Sequence, residues 1–218
     1  MARPVTRLIA SDDDVAAGVR ALRRKCTVMR RIHETTGHPP LRRREPGFEG
    51  LARIIVGQQL SIASAAAIWG RLAAAYPGLP AAAITGADDA DLRALGLSRP
   101  KIRTLRAAAE AVSAGLDLQD LGSAGEVEIH DRLTAINGIG PWTADIFIMF
   151  CLGRADGFAA GDLALQIAAQ HAYDLSERPS PAELLALADR WRPWRGVAAR
   201  LLWAYYPTIR KVRTAEPV

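Results

Sequence analysis

Cysteine is nearly absent: only Cys26 and Cys151 occur in 218 residues. Two thiols cannot frame a disulfide scaffold, nor supply a four-cysteine zinc or iron–sulfur site. Cys151 falls in an apolar segment and reads as packing. Also missing is an apolar run long enough to cross a bilayer. The early arginines meet Asp12-Asp13-Asp14 before any such run begins. No signal peptide and no membrane span are therefore expected, and the cytoplasm is the default location. Nowhere do β-branched residues alternate with polar ones over the length of a strand. That removes a sheet and leaves an all-α fold with short loops.

What is present is apolar and basic. Half of the residues are hydrophobic, enough for one core or two small lobes. Lys and Arg number 28 against 23 Asp and Glu, a net charge of +5. That balance suits a polyanionic partner, and equally a merely basic soluble protein.

Taken in order, Ser11 reads as an N-cap with acidic residues in the next turn. It starts a helix from about Asp12 to about Arg23, with Val15, Val19 and Leu22 on one stripe. A second helix covers about Thr27 to Glu34 and ends at Pro39-Pro40. Arg42-Arg43-Arg44 follows, either a DNA-backbone contact or a solvated loop. From Phe48 to Tyr76 a long helical pattern is broken by Gly57-Gln58-Gln59-Leu60-Ser61. Paired amides after Leu and Ile suit a surface that meets bases, since they donate and accept hydrogen bonds. A helix junction with polar caps, Ser61 starting the next helix, explains them too. Further helices are expected at about 87–94, at 100–114 behind Ser98, and as a short turn at 116–122. Others follow at Leu163–Tyr173, at Pro181–Trp191 behind Ser180, and at about Val197–Tyr205.

The most informative stretch runs from Leu133 to Gln166. A helix from Glu128 to Ile136 carries Ile129, Leu133 and Ile136 on one side. Asn137-Gly138-Ile139-Gly140 breaks it, Pro141 fits the first position of the next helix, and Gly153 ends that helix. Two glycines let the backbone turn tightly and approach another surface. Free N–H groups at the second helix's start suit a phosphate oxygen. Ile139 would plug the space between the helices. An ordinary helix–turn–helix corner also uses glycine, so the neighbours must decide.

Asn137-Gly138-Ile139-Gly140-Pro141-Trp142-Thr143-Ala144 is followed, after a loop over 156–161, by Leu163-Ala164-Leu165-Gln166 behind Asp162. Together these resemble the helix-hairpin-helix DNA glycosylase superfamily, in its 3-methyladenine DNA glycosylase II branch. Ile54-Ile55-Val56-Gly57-Gln58-Gln59-Leu60-Ser61 and Trp191-Arg192-Pro193-Trp194-Arg195 agree. The resemblance covers roughly residues 40 to 206. It implies two helical lobes with a catalytic cleft between them. One lobe is contiguous, 48–157, and carries the hairpin at 133–153. The other joins 1–47 to 158–218.

The resemblance also implies a chemistry. The aspartate after the hairpin is catalytic in the family, which makes Asp162 the candidate. Alone, it reads as a helix N-cap, and both readings fit a carboxylate at the positive end of a helix. The reaction is hydrolysis of an N-glycosidic bond to an alkylated purine flipped out of double-stranded DNA. Such a base is cationic and leaves readily. The carboxylate stabilises oxocarbenium character on the sugar and orients or deprotonates water. Trp142 and Trp203 match aromatic pocket positions, where a ring face attracts a cationic base by roughly 0.5–2 kcal/mol. Core packing is the other reading of Trp203. Ile146 stands where some relatives have tyrosine. Family members that nick the strand carry a lysine at the place of Trp142. Tryptophan forms no Schiff base, so a monofunctional enzyme is implied.

In the family a side chain near Gln58 and Gln59 enters the duplex where the base leaves. Many members of the branch have leucine at the place of Gln59, so the wedge here is polar. The hairpin is expected to grip a phosphate through amides around Gly138 and Gly140, with Thr143 as a hydroxyl donor. Relatives often hold a monovalent cation, Na+ or K+, on main-chain carbonyls that correspond to Thr134, Ile136 and Ile139. No iron–sulfur cluster is implied, and a monomer is expected. Two other classes remain: a non-catalytic helix-hairpin-helix DNA-binding module, and a glycosylase for oxidised, deaminated or mismatched bases.

Overall fold

The computed structural model describes residues 7–215, with side chains through residue 209. Among the described residues there is no strand, only an isolated antiparallel bridge between Leu8 and Arg154. No described helix is long and apolar enough to cross a membrane. The chain divides into two compact units, 1–43 with 153–218, and 44–152. These boundaries lie four or five residues from the sequence-based ones at 48 and 157. The reason is local: the Arg44 N–H donates to Phe150 O at 2.9 Å, which ties the segment before Phe48 to the end of the hairpin's second helix.

The first unit begins with α1, Asp12–Lys25, opened by a capping box between Ser11 and Asp14. It buries Val15, Val19 and Leu22, the expected stripe. α2, Thr27–Thr36, buries Met29 and Ile32. The unit's later helices are α10, Leu163–Ala172, α11, Pro181–Ala188, and α12, Arg195–Ala215. The start of α11 is a second capping box, Ser180 with Glu183. α11 stops at Ala188 and a 3-10 turn, Asp189–Trp191, completes the segment expected as one helix. α12 runs past the expected end at Tyr205, with Pro207 inside it. Trp191 is fully buried and its Nε1–H donates to the Tyr173 hydroxyl at 3.1 Å. It braces this unit, as does Trp194, which is 6% exposed.

The second unit holds α3, Phe48–Gly57, and α4, Ile62–Ala75, separated at the expected break. Ser61 caps α4, its hydroxyl accepting from the Ser64 N–H at 3.1 Å. α5, Ala81–Gly86, was not expected: it is short, alanine-rich and has no side-chain cap. α6, Asp89–Ala94, begins at Asp88, which accepts from the Ala90 N–H. α7, Arg99–Ser113, starts after Ser98, but the Ser98 side chain makes no cap hydrogen bond. A 3-10 turn at Asp120–Ser123 precedes α8, Glu126–Thr134, and α9, Pro141–Phe150. α9 buries seven of its ten residues, including Phe147 and Met149 at 0% exposure. A helix apolar on all sides belongs in a core, and each such large side chain contributes about 1.5–3 kcal/mol by leaving water.

Candidate functional site

The hairpin joins α8 to α9 and is built from shape. Ala135 and Ile136 continue the α8 turn, their N–H groups donating to Asp131 O and Leu133 O. Gly138 then takes φ +85, a conformation costly for any residue with a Cβ. Space forbids a side chain there as well. A Cβ on Gly138 would overlap the Thr104 hydroxyl and stand 2.9 Å from the Thr104 Cβ. Thr104 is buried on α7, so the hairpin rests against that helix through a glycine. Ile139 is 4% exposed and fills the corner. Its N–H donates to Ile136 O at 3.0 Å, closing the turn.

Gly140 is the opposite case. Its φ is −97, and a Cβ there would meet nothing within 4 Å. Among the described residues, neither the Gly138 nor the Gly140 N–H meets an acceptor. These donors stand at the start of α9, where the helix dipole is positive, and Gly140 leaves room beside them. An oxyanion fits such a place without displacing a side chain.

Thr143 behaves otherwise than expected. It is 2% exposed, and its hydroxyl accepts from Gln58 Nε2 at 2.8 Å. A hydroxyl buried in that way is not offered to a phosphate. The same Gln58 nitrogen lies 3.4 Å from Gly138 O. Gln58 is thus a brace that ties the end of α3 to the hairpin, and its amide nitrogen is not directed at bases. Its neighbour is different: Gln59 is exposed and sits at φ +55, in the left-handed region. Leu60 and Ile62 beside it are 39% and 83% exposed. The break therefore separates a bracing glutamine from a projecting one. Lys101 of α7 adds a contact that spacing does not announce. Its Nζ donates to Val56 O in the last turn of α3, and burial lowers its pKa below the usual 10.5. α8 and α9 are also clamped, by His130 Nε2 and Asp145 Oδ1 at 2.7 Å.

On α9, Trp142 is half-buried and Ile146 is 5% exposed. Spaced four apart, they share one face of the helix. Little of Ile146 reaches the surface, whereas Trp142 is partly exposed.

In the first unit, Asp162 is the N-cap of α10. Its Oδ1 accepts from the Leu165 N–H at 3.0 Å. The same oxygen accepts from Trp203 Nε1–H at 3.1 Å. One carboxylate is thus fixed by a helix start and by an indole from α12, and it stays half-buried. Hydrogen bonds to a charged acceptor are among the stronger ones, about 1.5–3 kcal/mol each. Trp203 is itself half-buried and turns its N–H edge to the carboxylate, so core packing is not its whole role.

The loop before Asp162 is held by several contacts. The Asp162 N–H donates to Ala159 O at 3.0 Å, and Gln166 Nε2 donates to Ala160 O at 3.0 Å. The Gly196 N–H donates to Ala155 O at 2.8 Å. Asp156 gathers Arg192 and Arg195, with Arg195 Nε 3.0 Å from its Oδ1. Arg195 is 4% exposed, so this pair is largely shielded from solvent. None of Asp156, Arg192 or Arg195 carried a role in the sequence reading.

Fold and site together define a helix-hairpin-helix protein in which an aspartate opens the helix after the hairpin. Comparison with known proteins agrees. A family model described as HhH-GPD superfamily base excision DNA repair protein matches residues 52–193. DNA-3-methyladenine glycosylase 1 of Schizosaccharomyces pombe is 31% identical over 170 residues, 75% of this chain and 73% of that protein. A putative DNA-3-methyladenine glycosylase of Bacillus subtilis is 36% identical over 120 residues, where the match spans 53% of this chain and 41% of the relative. The solved structure of the S. pombe 3-methyladenine DNA glycosylase in complex with abasic DNA superposes with a TM-score of 0.79 at 29% identity, covering 86% of this chain and 95% of that one. The chain belongs to the HhH-GPD superfamily of base excision DNA repair proteins, in its 3-methyladenine DNA glycosylase family.

Proposed function

We propose that the protein is a monofunctional DNA glycosylase that releases alkylated purines of the 3-methyladenine and 7-methylguanine type from double-stranded DNA. The observation that carries this is the Asp162 carboxylate, fixed at Oδ1 by Leu165 N–H and Trp203 Nε1–H. A binding module would need the hairpin alone. It has no use for a carboxylate held by an indole at the next helix start.

In this reading the Gly138 and Gly140 amides hold a phosphate near the lesion, which positions the duplex without reading sequence. Gln59 projects as the polar wedge where the base leaves. The flipped base is already cationic, so the C1′–N bond breaks with little acid help. Positive charge then develops on the sugar, and the fixed Asp162 carboxylate stabilises it. Water attacks C1′ and passes its proton to the carboxylate, which releases it to solvent. Trp203, beside Asp162, offers ring surface to a cationic base. Trp203 adds a positioning role through its edge.

Replacing Asp162 by Asn removes the charge and keeps the cap. Release of 3-methyladenine under single-turnover conditions is expected to fall by about 10²-fold or more, with duplex affinity within a few fold. Mass spectrometry of bases released from a lesion panel gives the substrate range. Turnover by D162N at the parent rate would refute the assignment. Borohydride trapping should yield no covalent adduct, because Trp142 offers no amine.

Thr134, Ile136 and Ile139 also suit a monovalent cation by their chemistry. The last turn of a helix leaves carbonyl oxygens without helical partners, at the negative end of its dipole. Ile136 O accepts one hydrogen bond, from the Ile139 N–H, and a carbonyl has a second lone pair. A bound Na+ or K+ would rigidify the turn. Exchanging K+ for choline at constant ionic strength should then weaken duplex binding.

A further inference from the structure

The first unit carries a charge concentration that the glycosylase reading leaves unused. Residues 20–34 hold six Arg and Lys side chains against one carboxylate, Glu34, an excess equal to the net +5 of the whole chain. Arg20, Arg23, Arg24 and Arg30 line one concavity of about 280 Å³ where α1 meets α2. We infer that this arginine-lined corner is a second phosphate-binding surface for duplex DNA, separate from the hairpin.

Hydrogen bonding within the fold accounts for part of the cluster, and among the described residues Arg20 and Arg24 are the part it leaves over. Cations in the last turn of α1 answer its dipole, which explains Arg23, Arg24 and Lys25. It does not explain Arg20; in α2, Arg31 donates to Ala172 O at 2.6 Å, while Arg30 lies in the first half of a helix whose first turn holds no acidic residue. Guanidiniums gathered in one hollow repel one another.

The corner is also shaped. Arg30 Nε and Nη2 both donate to Arg23 O, at 3.2 and 3.0 Å. Arg23 donates to His33 Nδ1 at 2.6 Å and pairs with Glu34 at 3.1 Å. That pair is exposed, and such pairs contribute little. Arg20 and Arg24 stand exposed beside these fixed groups. Guanidinium forks match phosphate oxygens in pairs. Phosphates along a duplex are the polyanion that this family already meets, so the inference rests on the glycosylase reading for the identity of its partner.

The test uses the full chain carrying Asp162→Asn, which removes chemistry, and an undamaged duplex as probe. The affinity of that chain is measured against salt, then repeated with Arg20→Glu and Arg24→Glu added. Each lost phosphate contact lowers the slope of log K on log salt by about 0.9. A decrease of about 1–2 and a roughly tenfold loss at low salt are expected. The milder pair Arg20→Gln and Arg24→Gln should fall between the two. A charge-matched control, Arg178→Glu with Arg190→Glu, should leave the slope within about half a contact. An unchanged slope in the Arg20 and Arg24 variants overturns the inference. So does an equal change in the control, which would make net charge the cause. Base release by the parent chain with Asp162 intact, measured apart from the salt slope, decides the glycosylase assignment. That result keeps the fate of this surface distinct from the fate of the glycosylase assignment.

Discussion

The hairpin and the start of α10 do the same structural task with opposite materials. Each begins a helix and offers something at its first turn. The hairpin uses backbone: Gly138 at φ +85 against Thr104, Ile139 as a plug, and open space at Gly140. The start of α10 uses side chains: Asp162, Trp203 from α12, and Gln166 on Ala160 O. A surface that must accept any DNA sequence benefits from amides, which every residue carries. A surface that must stabilise one developing charge needs a particular carboxylate held still. The two regions should therefore fail differently: hairpin substitutions through folding and grip, α10 substitutions through rate.

Gly138→Ala should produce the largest effect on stability. It adds left-handed strain, about 1–3 kcal/mol, and overlap with Thr104 on a buried helix. A loss of about 3 kcal/mol is expected in urea unfolding. Shortening Thr104 to Ala relieves the overlap and leaves the strain, so the double variant should recover part of the loss. Equal losses with and without Thr104→Ala would mean that the contact does not matter.

Trp203→Phe sharpens the other side of the comparison. It keeps a ring and deletes the N–H to Asp162. Losing one hydrogen bond to a carboxylate costs about 1.5–3 kcal/mol. Excision should therefore slow by roughly tenfold or more for cationic and neutral bases alike. Trp203→Ala removes the ring surface too, and should penalise 7-methylguanine beyond hypoxanthine. If Phe restores the parent rate, the edge contact carries no positioning role and only the ring surface counts.

Gly140→Ala is the smaller counterpart of Gly138→Ala. At φ −97 with nothing within 4 Å, a methyl group fits without strain. Stability should stay within about 0.5 kcal/mol, while duplex affinity drops several fold because the methyl occupies the phosphate's approach. Unaltered affinity would remove Gly140 from the DNA contact.

The comparison also explains what could be read from sequence. Hairpin, caps and the aspartate are local signals, set by residues a few positions apart: Asn137 to Pro141, Ser11 with Asp14, Ser180 with Glu183, Asp162 before Leu163. Thr104 under Gly138, Lys101 on Val56 O, and Asp156 between Arg192 and Arg195 join residues distant in sequence. No periodicity announces them. Gln58 and Gln59 look identical in sequence, and a single left-handed residue separates their roles. α12 passes through Pro207, against the usual effect of that residue.

The smallest expected effect lies in neither region, which makes it a control for both. His33 accepts from Arg23 through Nδ1, so its ring is neutral there. Burial lowers its pKa below the ordinary 6.5, with Arg23 and then His38 adding to the shift and Glu34 opposing it. Between the lowered folded value and 6.5, the unfolded chain binds more protons than the folded one. Stability therefore rises with pH across that window and is unaffected by His33 above it. Below the folded value the cost of protonation is complete. Gln at position 33 can still accept from Arg23 and does not titrate. Comparing urea midpoints on either side of 6.5 for the parent and His33→Gln should show a smaller acid loss in the variant. Base release at neutral pH should stay unchanged in His33→Gln, because neither the hairpin nor Asp162 depends on this ring. An acid loss of the same size in both proteins would place the titration elsewhere.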